Sequence, residues 1–328
     1  MTTLLVTGGC GFIGSNLVRH LLRTYPEYQV WNLDALTYAG RPENVEDLEA
    51  NPRYRFFKGR LQDKDFVRQV VGQGVDYIMN LAAESHVDRS IKNPGIFIET
   101  NITGTQVLLD AAREYGVRRF LQCSTDEVYG TLGAEGYFTE VTPLAPNSPY
   151  AASKAGADFY VRAYHETFGL EVVTTRCSNN YGPYQLPEKL IPYFIALALE
   201  NKPLPVYGNG QNVRDWLYVE DHCRAMDIVL HQGESGQVYN VGGHNERTNL
   251  QVIRKLLELM GKSEDLIEFV TDRLGHDLRY AIDPKKIGDT LGWQPTVDFE
   301  TGLARTVDWY LSHQDWVQRV RKDLTPLV

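Results

Sequence analysis

The stretch Leu4-Leu5-Val6-Thr7-Gly8-Gly9-Cys10-Gly11-Phe12-Ile13-Gly14 decides the fold. Its first four residues predict a buried strand, and the glycines match both GxGxxG from Gly9 and the wider GxxGxxG from Gly8. The amphipathic segment from about residue 11 to residue 23 predicts a helix directly after the glycines. A strand, a glycine turn and a helix N-terminus together form a site where backbone N–H groups can approach a pyrophosphate.

An acidic residue, Asp34, ends the next predicted strand, 20 residues after Gly14. A carboxylate at that place accepts hydrogen bonds from the hydroxyls of an adenosine ribose and repels a 2′-phosphate. The glycine turn and Asp34 together therefore predict a site for NAD rather than NADP.

Short apolar runs alternate with longer amphipathic segments through the first half of the chain. The predicted strands are 4–7, 30–33, 54–57, 77–82, 120–124 and 172–176, and the predicted helices between them are 11–23, 63–71, 95–115 and 150–168. Strand–helix–strand repetition predicts an α/β fold with a doubly wound parallel sheet of the Rossmann-like class.

The amino-acid composition changes after about residue 179, where prolines and glycines become frequent. Predicted helices recur at 219–230, 250–260 and 302–311. We therefore predict a cofactor-binding domain over residues 1–178 and a smaller, loop-rich substrate-binding domain over residues 179–328. Segments near 212–244 are candidates to return to the first domain.

Composition narrows the possible partners and compartments. The 328 residues carry 33 Lys and Arg against 42 Asp and Glu, a net charge of −9, which argues against nucleic acid as a partner. Cys10, Cys123, Cys177 and Cys223 lack the spacing of a zinc site, so we expect no metal. The apolar stretch 190–199 contains Pro192 and is too short for a membrane span. With no signal-peptide pattern at the N-terminus, we expect a cytoplasmic protein with reduced thiols and no membrane association.

A tyrosine and a lysine four residues apart, Tyr150 and Lys154, begin the predicted helix 150–168. Residues at this spacing share one helix face, so the phenol and the ammonium are expected to project together. A neighbouring cation lowers the pKa of a phenol from about 10, which predicts Tyr150 as a base near neutral pH.

Four polar residues, Ser124 to Glu127, stand at the C-terminal end of the predicted strand 120–124. The carboxyl ends of parallel strands face the ligand crevice in such sheets, so these side chains are expected in the site. Neighbouring carboxyls drive one pKa upward, so one of Asp126 and Glu127 can serve as an acid and the other as a base.

The chain resembles the dTDP-glucose 4,6-dehydratases, which belong to the extended short-chain dehydrogenase/reductase family. Motifs that span nearly the whole chain carry the resemblance: Thr7-Gly-Gly-Cys-Gly-Phe-Ile-Gly14, Leu33-Asp-Ala-Leu-Thr-Tyr-Ala-Gly40, Ala82-Ala-Glu-Ser-His-Val-Asp88, Ser124-Thr-Asp-Glu-Val-Tyr-Gly130, Tyr150-Ala-Ala-Ser-Lys154, Asn179-Asn-Tyr-Gly-Pro-Tyr184, Pro187-Glu-Lys-Leu-Ile-Pro192, Tyr207-Gly-Asn-Gly-Gln-Asn-Val-Arg-Asp-Trp216 and Asp272-Arg-Leu-Gly-His276. The adjacent Thr125, Asp126 and Glu127 are typical of the dehydratases within the wider family.

The resemblance implies an NAD-dependent hydro-lyase that converts dTDP-glucose into dTDP-4-keto-6-deoxyglucose without net oxidation. It implies that Tyr150 removes the proton of the sugar 4-hydroxyl during transient oxidation at C4. Glu127 then takes the C5 proton, Asp126 protonates the departing 6-hydroxyl, and a hydride returns to C6. Thr125 orients the 4-hydroxyl and Lys154 holds the nicotinamide ribose. Loss of Tyr150 is expected to stop every step, whereas Glu127→Gln is expected to spare the first oxidation.

The resemblance also implies the remaining ligand contacts. The implied cofactor residues are Gly8, Gly11, Phe12, Ile13, Gly14, Asp34, Ala35, Leu36, Thr37, Arg60, Leu61, Leu81, Ala82, Ala83, Thr100, Tyr150, Lys154 and Asn180. The implied substrate residues are Ser85, Asp88, Thr125, Asn179, Lys189, Leu190, Pro205, Tyr207, Arg214, Asn249, Arg273 and His276. A homodimer is implied as well, with its interface on the predicted helices 95–115 and 150–168.

The chain departs from the family pattern at two places. Arg60 and Leu61 stand where the family usually has Asp and Ile, so the usual acceptor for the adenine amine is replaced by a donor that can stack on adenine. Leu274 stands where a proline is usual in the diphosphate loop.

Two other functions remain open from the sequence. A sugar-nucleotide 4-epimerase shares the glycine turn, Asp34, Tyr150 and Lys154, but has no use for the acid and base at Asp126 and Glu127. A non-enzymatic dinucleotide-sensing protein of the same fold needs none of the catalytic residues. The preference among dTDP, UDP and CDP sugars also stays open, because thymine and uracil differ by one methyl group, worth about 1–3 kcal/mol.

Overall fold

A computed structural model of the chain describes residues 1–272 and 278–321. The described residues form twelve strands: β1 Thr2–Thr7, β2 Tyr28–Asp34, β3 Tyr54–Lys58, β4 Tyr77–Asn80, β5 Arg119–Thr125, β6 Val172–Cys177, β7 Asn179–Tyr181, β8 Leu204–Tyr207, β9 Val213–Tyr218, β10 Val238–Val241, β11 Glu246–Thr248 and β12 Ile267–Val270. Seven of them build the central sheet in the order β10-β6-β5-β4-β1-β2-β3, and every neighbouring pair is parallel.

Helices follow the strands and cover both faces of this sheet. The helices are α1 Phe12–Thr24, α2 Lys64–Val71, α3 Val87–Lys92, α4 Gly95–Phe97, α5 Gly104–Glu114, α6 Pro149–Phe168, α7 Leu190–Leu199, α8 Val219–Gln232, α9 Asn249–Leu259, α10 Lys285–Leu291, α11 Phe299–Ser312 and α12 Gln314–Arg321. A π-helical stretch, Ile98–Thr103, joins α4 to α5. The predicted helix 95–115 therefore exists, but with a change of helical pitch in its middle.

The core of the sheet lies in two layers, as a doubly wound fold requires. On one face, Leu17 and Leu21 of α1 pack with Val229 of α8 and with sheet residues such as Val6. On the other face, residues of α2, α5 and α6 pack against inward-facing residues of the same strands. Because helices cover both faces, the residues of β1, β4, β5 and β6 are buried almost throughout, with no alternation of buried and exposed positions. The prediction of an α/β, Rossmann-like fold is confirmed.

A second region is built around two small sheets. Strands β11, β9 and β7 form a three-stranded sheet, and β12 pairs with β8. Their core is rich in aromatic residues, including Tyr181, Trp216, Phe299, Tyr310 and Trp316. Helix α7 belongs to this core, although its sequence predicted no helix over residues 190–199. Pro192 is its third residue, and a proline in the first turn removes no intrahelical hydrogen bond.

The C-terminal half also contributes to the central sheet. Strand β10 pairs in parallel with β6, and α8 packs against α1. The division of the chain into domains at residue 178 stays a prediction. Among the described residues, no helix combines the length and the apolar character that crossing a membrane requires.

Candidate active site

The glycine turn forms a cradle between β1 and α1 at the carboxyl edge of the central sheet. Gly8 has a φ of +72°, and a Cβ there would lie 2.8 Å from the Cα of Ala82. A Cβ on Gly14 would lie 2.1 Å from the carbonyl oxygen of Gly8. Gly11 caps α1 without any side chain across the helix N-terminus. Backbone and ligand can therefore approach closely here, and the helix dipole favours an anion, which fits the pyrophosphate of a dinucleotide.

Asp34 ends β2 beside this cradle. Its Oδ2 accepts a hydrogen bond from the backbone N–H of Cys10 at 2.9 Å, and its Oδ1 accepts one from Leu36 at 2.8 Å. Burial raises the pKa of Asp34, while these two hydrogen bonds lower it. Each oxygen keeps a second lone pair, so the carboxyl group is held in place with capacity to accept from ribose hydroxyls.

One cavity brings together the glycine cradle, Asp34 and the predicted catalytic residues. All of the predicted cofactor residues except Leu36 line it, namely Gly8, Gly11, Phe12, Ile13, Gly14, Asp34, Ala35, Thr37, Arg60, Leu61, Leu81, Ala82, Ala83, Thr100, Tyr150, Lys154 and Asn180. The side chain of Leu36 packs against the core, while its backbone, at a φ of +52°, serves Asp34. Leu36 therefore acts on the site through its N–H group, and its side chain is not part of the cavity lining.

Tyr150 and Lys154 lie together in the first turns of α6, and both are buried. The Lys154 ammonium donates a 2.6 Å hydrogen bond to the carbonyl oxygen of Cys123 on β5, which ties α6 to the sheet. The expectation that the lysine lowers the pKa of Tyr150 is wrong for this structure. Burial raises that pKa well above its ordinary value, the charge of Glu127 raises it further, and a hydrogen bond from Thr125 only partly opposes the rise.

Thr125 is the last residue of β5, and Asp126 and Glu127 begin the short 3₁₀ turn that follows it; all three line the same cavity. Thr125 caps this turn, because its Oγ1 accepts from the backbone N–H of Glu127 at 3.3 Å. The same hydroxyl lies 3.3 Å from Oδ1 of Asp126. The cap fixes the two carboxyl groups relative to each other and to Tyr150.

The two neighbouring acids differ in their surroundings. Asp126 is 2% exposed and its Oδ2 has no hydrogen-bond partner among the described residues, whereas Glu127 is half-buried. Burial raises the pKa of Asp126 well above its ordinary value, and the charge of Glu127 raises it further. The charge of Arg214 opposes this shift without cancelling it. The surroundings of Asp126 therefore favour its protonated form, while the neighbouring carboxyl group of Glu127 is reached by water, and such a difference can set an acid and a base apart in one site.

The predicted substrate residues fall into three groups. Ser85, Thr125, Asn179 and Lys189 line the cavity. Asp88 on α3, Leu190 on α7, Pro205 and Tyr207 on β8, Arg214 on β9 and Asn249 on α9 belong to elements around it and are not among its lining residues. Arg273 and His276 lie outside the described residues, as does Leu274.

The cavity is also lined by side chains that were not predicted as site residues. Glu84 and Glu188 line it, and burial raises the pKa of both carboxyl groups. Cys123 and Cys177 line it from the ends of β5 and β6. Glu84 and Glu188 fall within two of the family motifs but were not predicted as site residues. No quoted motif includes Cys123 or Cys177, although both could have been expected there because they stand at the carboxyl ends of predicted strands.

Comparison with known proteins places this arrangement in a family. The family model for GDP-mannose 4,6 dehydratase matches residues 5–306. A dTDP-glucose 4,6-dehydratase from Xanthomonas campestris pv. campestris is 54% identical, over 98% of this chain and 96% of that protein. A crystal structure of DesIV from Streptomyces venezuelae, a dTDP-glucose 4,6-dehydratase with NAD bound, is 50% identical with a TM-score of 0.94, covering 97% of this chain and 100% of that chain.

More distant structural neighbours are epimerases. The NAD complex of a UDP-glucose 4-epimerase from Thermus thermophilus is 33% identical with a TM-score of 0.88, covering 95% of this chain and 100% of that chain. The fold is thus common to both activities, whereas the higher identities lie with the dehydratases. The resemblance found in the sequence is confirmed: this chain belongs to the dTDP-glucose 4,6-dehydratase family of the extended short-chain dehydrogenases/reductases.

Proposed function

We propose that this chain removes water from dTDP-glucose to give dTDP-4-keto-6-deoxyglucose, as an NAD-dependent hydro-lyase. The observation that carries the proposal is the pair of adjacent carboxyl groups in the cofactor cavity. One of them, Asp126, is buried, and its Oδ2 has no hydrogen-bond partner in the part of the chain that the structure describes; the other, Glu127, is reached by water. Elimination of water needs one acid and one base, whereas oxidation of an alcohol needs only a base.

NAD is the cofactor, and relatives solved with NAD bound confirm that prediction. When bound, it supplies the oxidising power at C4 of the sugar and returns the same two electrons at C6. The glycine cradle and the N-terminus of α1 hold its pyrophosphate, and Asp34 accepts from the adenosine ribose.

Tyr150 acts on the 4-hydroxyl of the sugar. Its phenol is buried beside Thr125, whose hydroxyl orients the same sugar oxygen. Burial keeps the phenol neutral in the free enzyme. A cationic nicotinamide ring in the same cavity favours the phenolate, so Tyr150 becomes a competent base only in the complex. Lys154 stays fixed by the Cys123 carbonyl and reaches the nicotinamide ribose.

The two carboxyl groups act on the ketone that this oxidation leaves. The C4 ketone acidifies the hydrogen on C5, and Glu127 removes that proton. Asp126 donates its proton to the 6-hydroxyl, so the C6–O bond breaks and water leaves as a C5–C6 double bond forms. The double bond accepts the two electrons at C6 and a proton at C5, and the dehydration is balanced without net oxidation.

Isotope labelling tests the proposal directly. With dTDP-glucose that carries deuterium at C4, we expect mass spectrometry of the product to show the label at C6 and the loss of one water. In heavy water, one solvent deuterium is expected at C5. A product that keeps its water and carries the label at C4 of the epimeric sugar would instead indicate a 4-epimerase. An unchanged sugar in the presence of bound NAD would indicate a non-enzymatic dinucleotide-binding protein.

We also infer that two copies of the chain associate through α6 and the π-helical stretch before α5. Ile98 and Phe159 are 55% and 59% exposed, which is unusual for large apolar side chains on packed helices. Sedimentation of the purified protein is expected to give about twice the chain mass of 37.2 kDa. A species at the mass of one chain over the full concentration range would contradict the inference.

The compartment we propose is the cytoplasm. All four cysteines are free and buried, in keeping with a protein that folds in a reducing environment. Fractionation of cells with an antibody against the chain tests this, and recovery with the membranes would contradict it.

A further inference from the structure

Three side chains from three different elements meet beneath the cofactor cavity. Cys123 on β5, Cys177 on β6 and His222 on α8 are all buried, and one ligand atom from each lies within 4.8 Å of the other two. Two thiols and an imidazole are the donor set of soft metal ions such as Zn²⁺ and Cu⁺. The mechanism proposed above assigns no role to any of the three.

The strand register separates this arrangement from a disulfide. Cys123 pairs with Thr175, and Cys177 pairs with Thr125, so the two cysteines are diagonal neighbours on β5 and β6. With adjacent strands about 4.8 Å apart and a two-residue offset of about 6.6 Å along the strand, the Cα atoms of the two cysteines are roughly 8 Å apart, beyond the ~4.4–6.8 Å that a disulfide usually spans. Two thiolates on one zinc ion, with Zn–S bonds of about 2.3 Å, need sulfurs only about 4 Å apart and no bond between them.

His222 is oriented as a metal-binding histidine usually is. The side-chain N–H of Asn180 donates to the carbonyl oxygen of Ser178 at 3.0 Å, which fixes the direction of the amide. The amide oxygen of Asn180 then lies 2.9 Å from Nδ1 of His222, so Nδ1 carries the ring proton. Nε2 is buried, has no hydrogen-bond partner among the described residues and keeps its lone pair. A carbonyl group that holds the opposite ring nitrogen is the usual outer support of a metal ligand.

We propose that Cys123, Cys177 and His222 form a binding site for a soft metal cation of the Zn²⁺ class, with its fourth coordination position directed into the cofactor cavity. Both cysteines line that cavity together with Tyr150 and Lys154. Three protein ligands and one open position are the pattern of a zinc ion that remains accessible to small molecules. Two thiolates balance the charge of a divalent ion, which allows the site to form beside the Lys154 ammonium.

Cobalt titration tests the site, because Co²⁺ substitutes for Zn²⁺ and reports its own ligands. Chelator-treated protein is expected to take up one Co²⁺ per chain, with a thiolate-to-metal band in the near ultraviolet and the visible bands of a four-coordinate ion. Zn²⁺ is expected to displace it. Cys123→Ala and Cys177→Ala should each weaken binding by more than the ~10- to 100-fold that loss of an outer support costs. No uptake of Co²⁺ by the parent chain would overturn the proposal.

Cys223→Ala is the matched control, since Cys223 is a buried cysteine next to His222 but lies outside the cluster. It is expected to keep one Co²⁺ with unchanged bands, and loss of the bands in this variant would overturn the assignment. Pulsed alkylation is a second test, and because it uses the parent chain its result does not depend on whether a variant folds. Zn²⁺ should slow the labelling of Cys123 and Cys177 but not of Cys223. Equal protection of all three, or a mass two units lower from a disulfide, would also overturn it.

The direction of the open position is tested by competition, and this part rests on the proposed function. At Zn²⁺ ten times above its dissociation constant, we expect the apparent dissociation constant of NAD to rise about tenfold by mass action. ADP-ribose lacks the nicotinamide ring and should bind unchanged. Unchanged NAD binding with Zn²⁺ in place would overturn the open position toward the cofactor. A chain that binds Zn²⁺ but never NAD would contradict the proposed function and leave the metal site standing.

Discussion

The carboxyl edge of the central sheet and the small sheets of the C-terminal half contribute to function in different ways. At the sheet edge, Asp34 at the end of β2, Thr125 at the end of β5 and Gly8 directly after β1 line one cavity, because parallel strands of one sheet finish at the same edge. In the C-terminal half, β12 pairs with β8 about sixty residues away, and β11 runs antiparallel to β9. The predicted substrate residues on β8 and β9 belong to these sheets and stand back from the cavity. The parallel sheet thus places the proposed catalytic residues, whereas several of the predicted substrate residues lie in a separately built region.

The sharpest test of the sheet edge is Tyr150→Phe. Without the phenol oxygen no group removes the 4-hydroxyl proton, so oxidation and every later step should stop, with kcat reduced about 10³- to 10⁴-fold. Steady-state formation of the keto sugar measures this. Tyr164→Phe is the matched control on the same helix, because the Tyr164 hydroxyl contacts Asp110 instead of the cavity. An equal loss in both variants would mean that α6 tolerates no phenylalanine and would remove Tyr150 from the chemistry.

The two carboxyl groups should fail at a later step than Tyr150. In Glu127→Gln and Asp126→Asn, kcat for dehydration should fall about 10²- to 10³-fold while oxidation at C4 survives. Rapid mixing with dTDP-glucose should therefore show the near-ultraviolet absorbance of reduced nicotinamide building up. Glu127→Gln should also abolish uptake of solvent deuterium at C5. Normal deuterium uptake in that variant would contradict Glu127 as the base.

This difference between regions also explains what the sequence could reveal. The glycine turn, Asp34 and the Thr125–Glu127 turn were predictable because each directly follows a strand whose end has a known place in the sheet. The direction of the pKa shift of Tyr150 could not be predicted, because the sequence shows Lys154 four residues away but does not show how deeply the phenol is buried. The sequence could not predict the cluster of Cys123, Cys177 and His222 either, since its members come from β5, β6 and α8 and follow no recognisable spacing in the chain. Pairing of β8 with β12 depends on tertiary packing that no short motif encodes.

Arg214 on β9 connects the two regions and gives a smaller, two-part effect. It is buried, with its guanidinium 4.5 Å from the centre of the Tyr280 ring, and its charge lowers the pKa of Asp126. Loss of a charge-assisted contact to a diphosphate costs about 1.5–3 kcal/mol, so Arg214→Gln should raise KM for dTDP-glucose about tenfold or more.

The pH profile shows whether Arg214 also acts on the acid. Asp126 must be protonated to donate, so activity falls as pH rises through its pKa. Removing the Arg214 charge raises that pKa further, and the alkaline limb of kcat should move to higher pH. Arg247 is paired with Arg214 in register on β11 and lies near Glu300, so Arg247→Gln is the control and should leave the limb in place. A limb that moves to lower pH in Arg214→Gln would contradict the acid role of Asp126.

The smallest effect is expected at Arg60, where the chain departs from its family at the adenine end of the cavity. Arg60 is exposed, follows β3 and lines the cavity beside Asp34. A guanidinium stacked on an exposed aromatic ring contributes about 0.5–1 kcal/mol, so Arg60→Ala should weaken NAD binding about two- to fivefold, measured by calorimetry. Nicotinamide mononucleotide lacks adenine and should bind the variant as it binds the parent chain.

Arg60→Asp restores the acceptor that the family usually has, and it shows whether the arginine itself contributes to adenine recognition. If Arg60 stacks on adenine, Arg60→Asp should weaken NAD binding as Arg60→Ala does, because both variants lose the cation. NAD binding as tight as or tighter than that of the parent chain would mean that the arginine contributes nothing to adenine recognition.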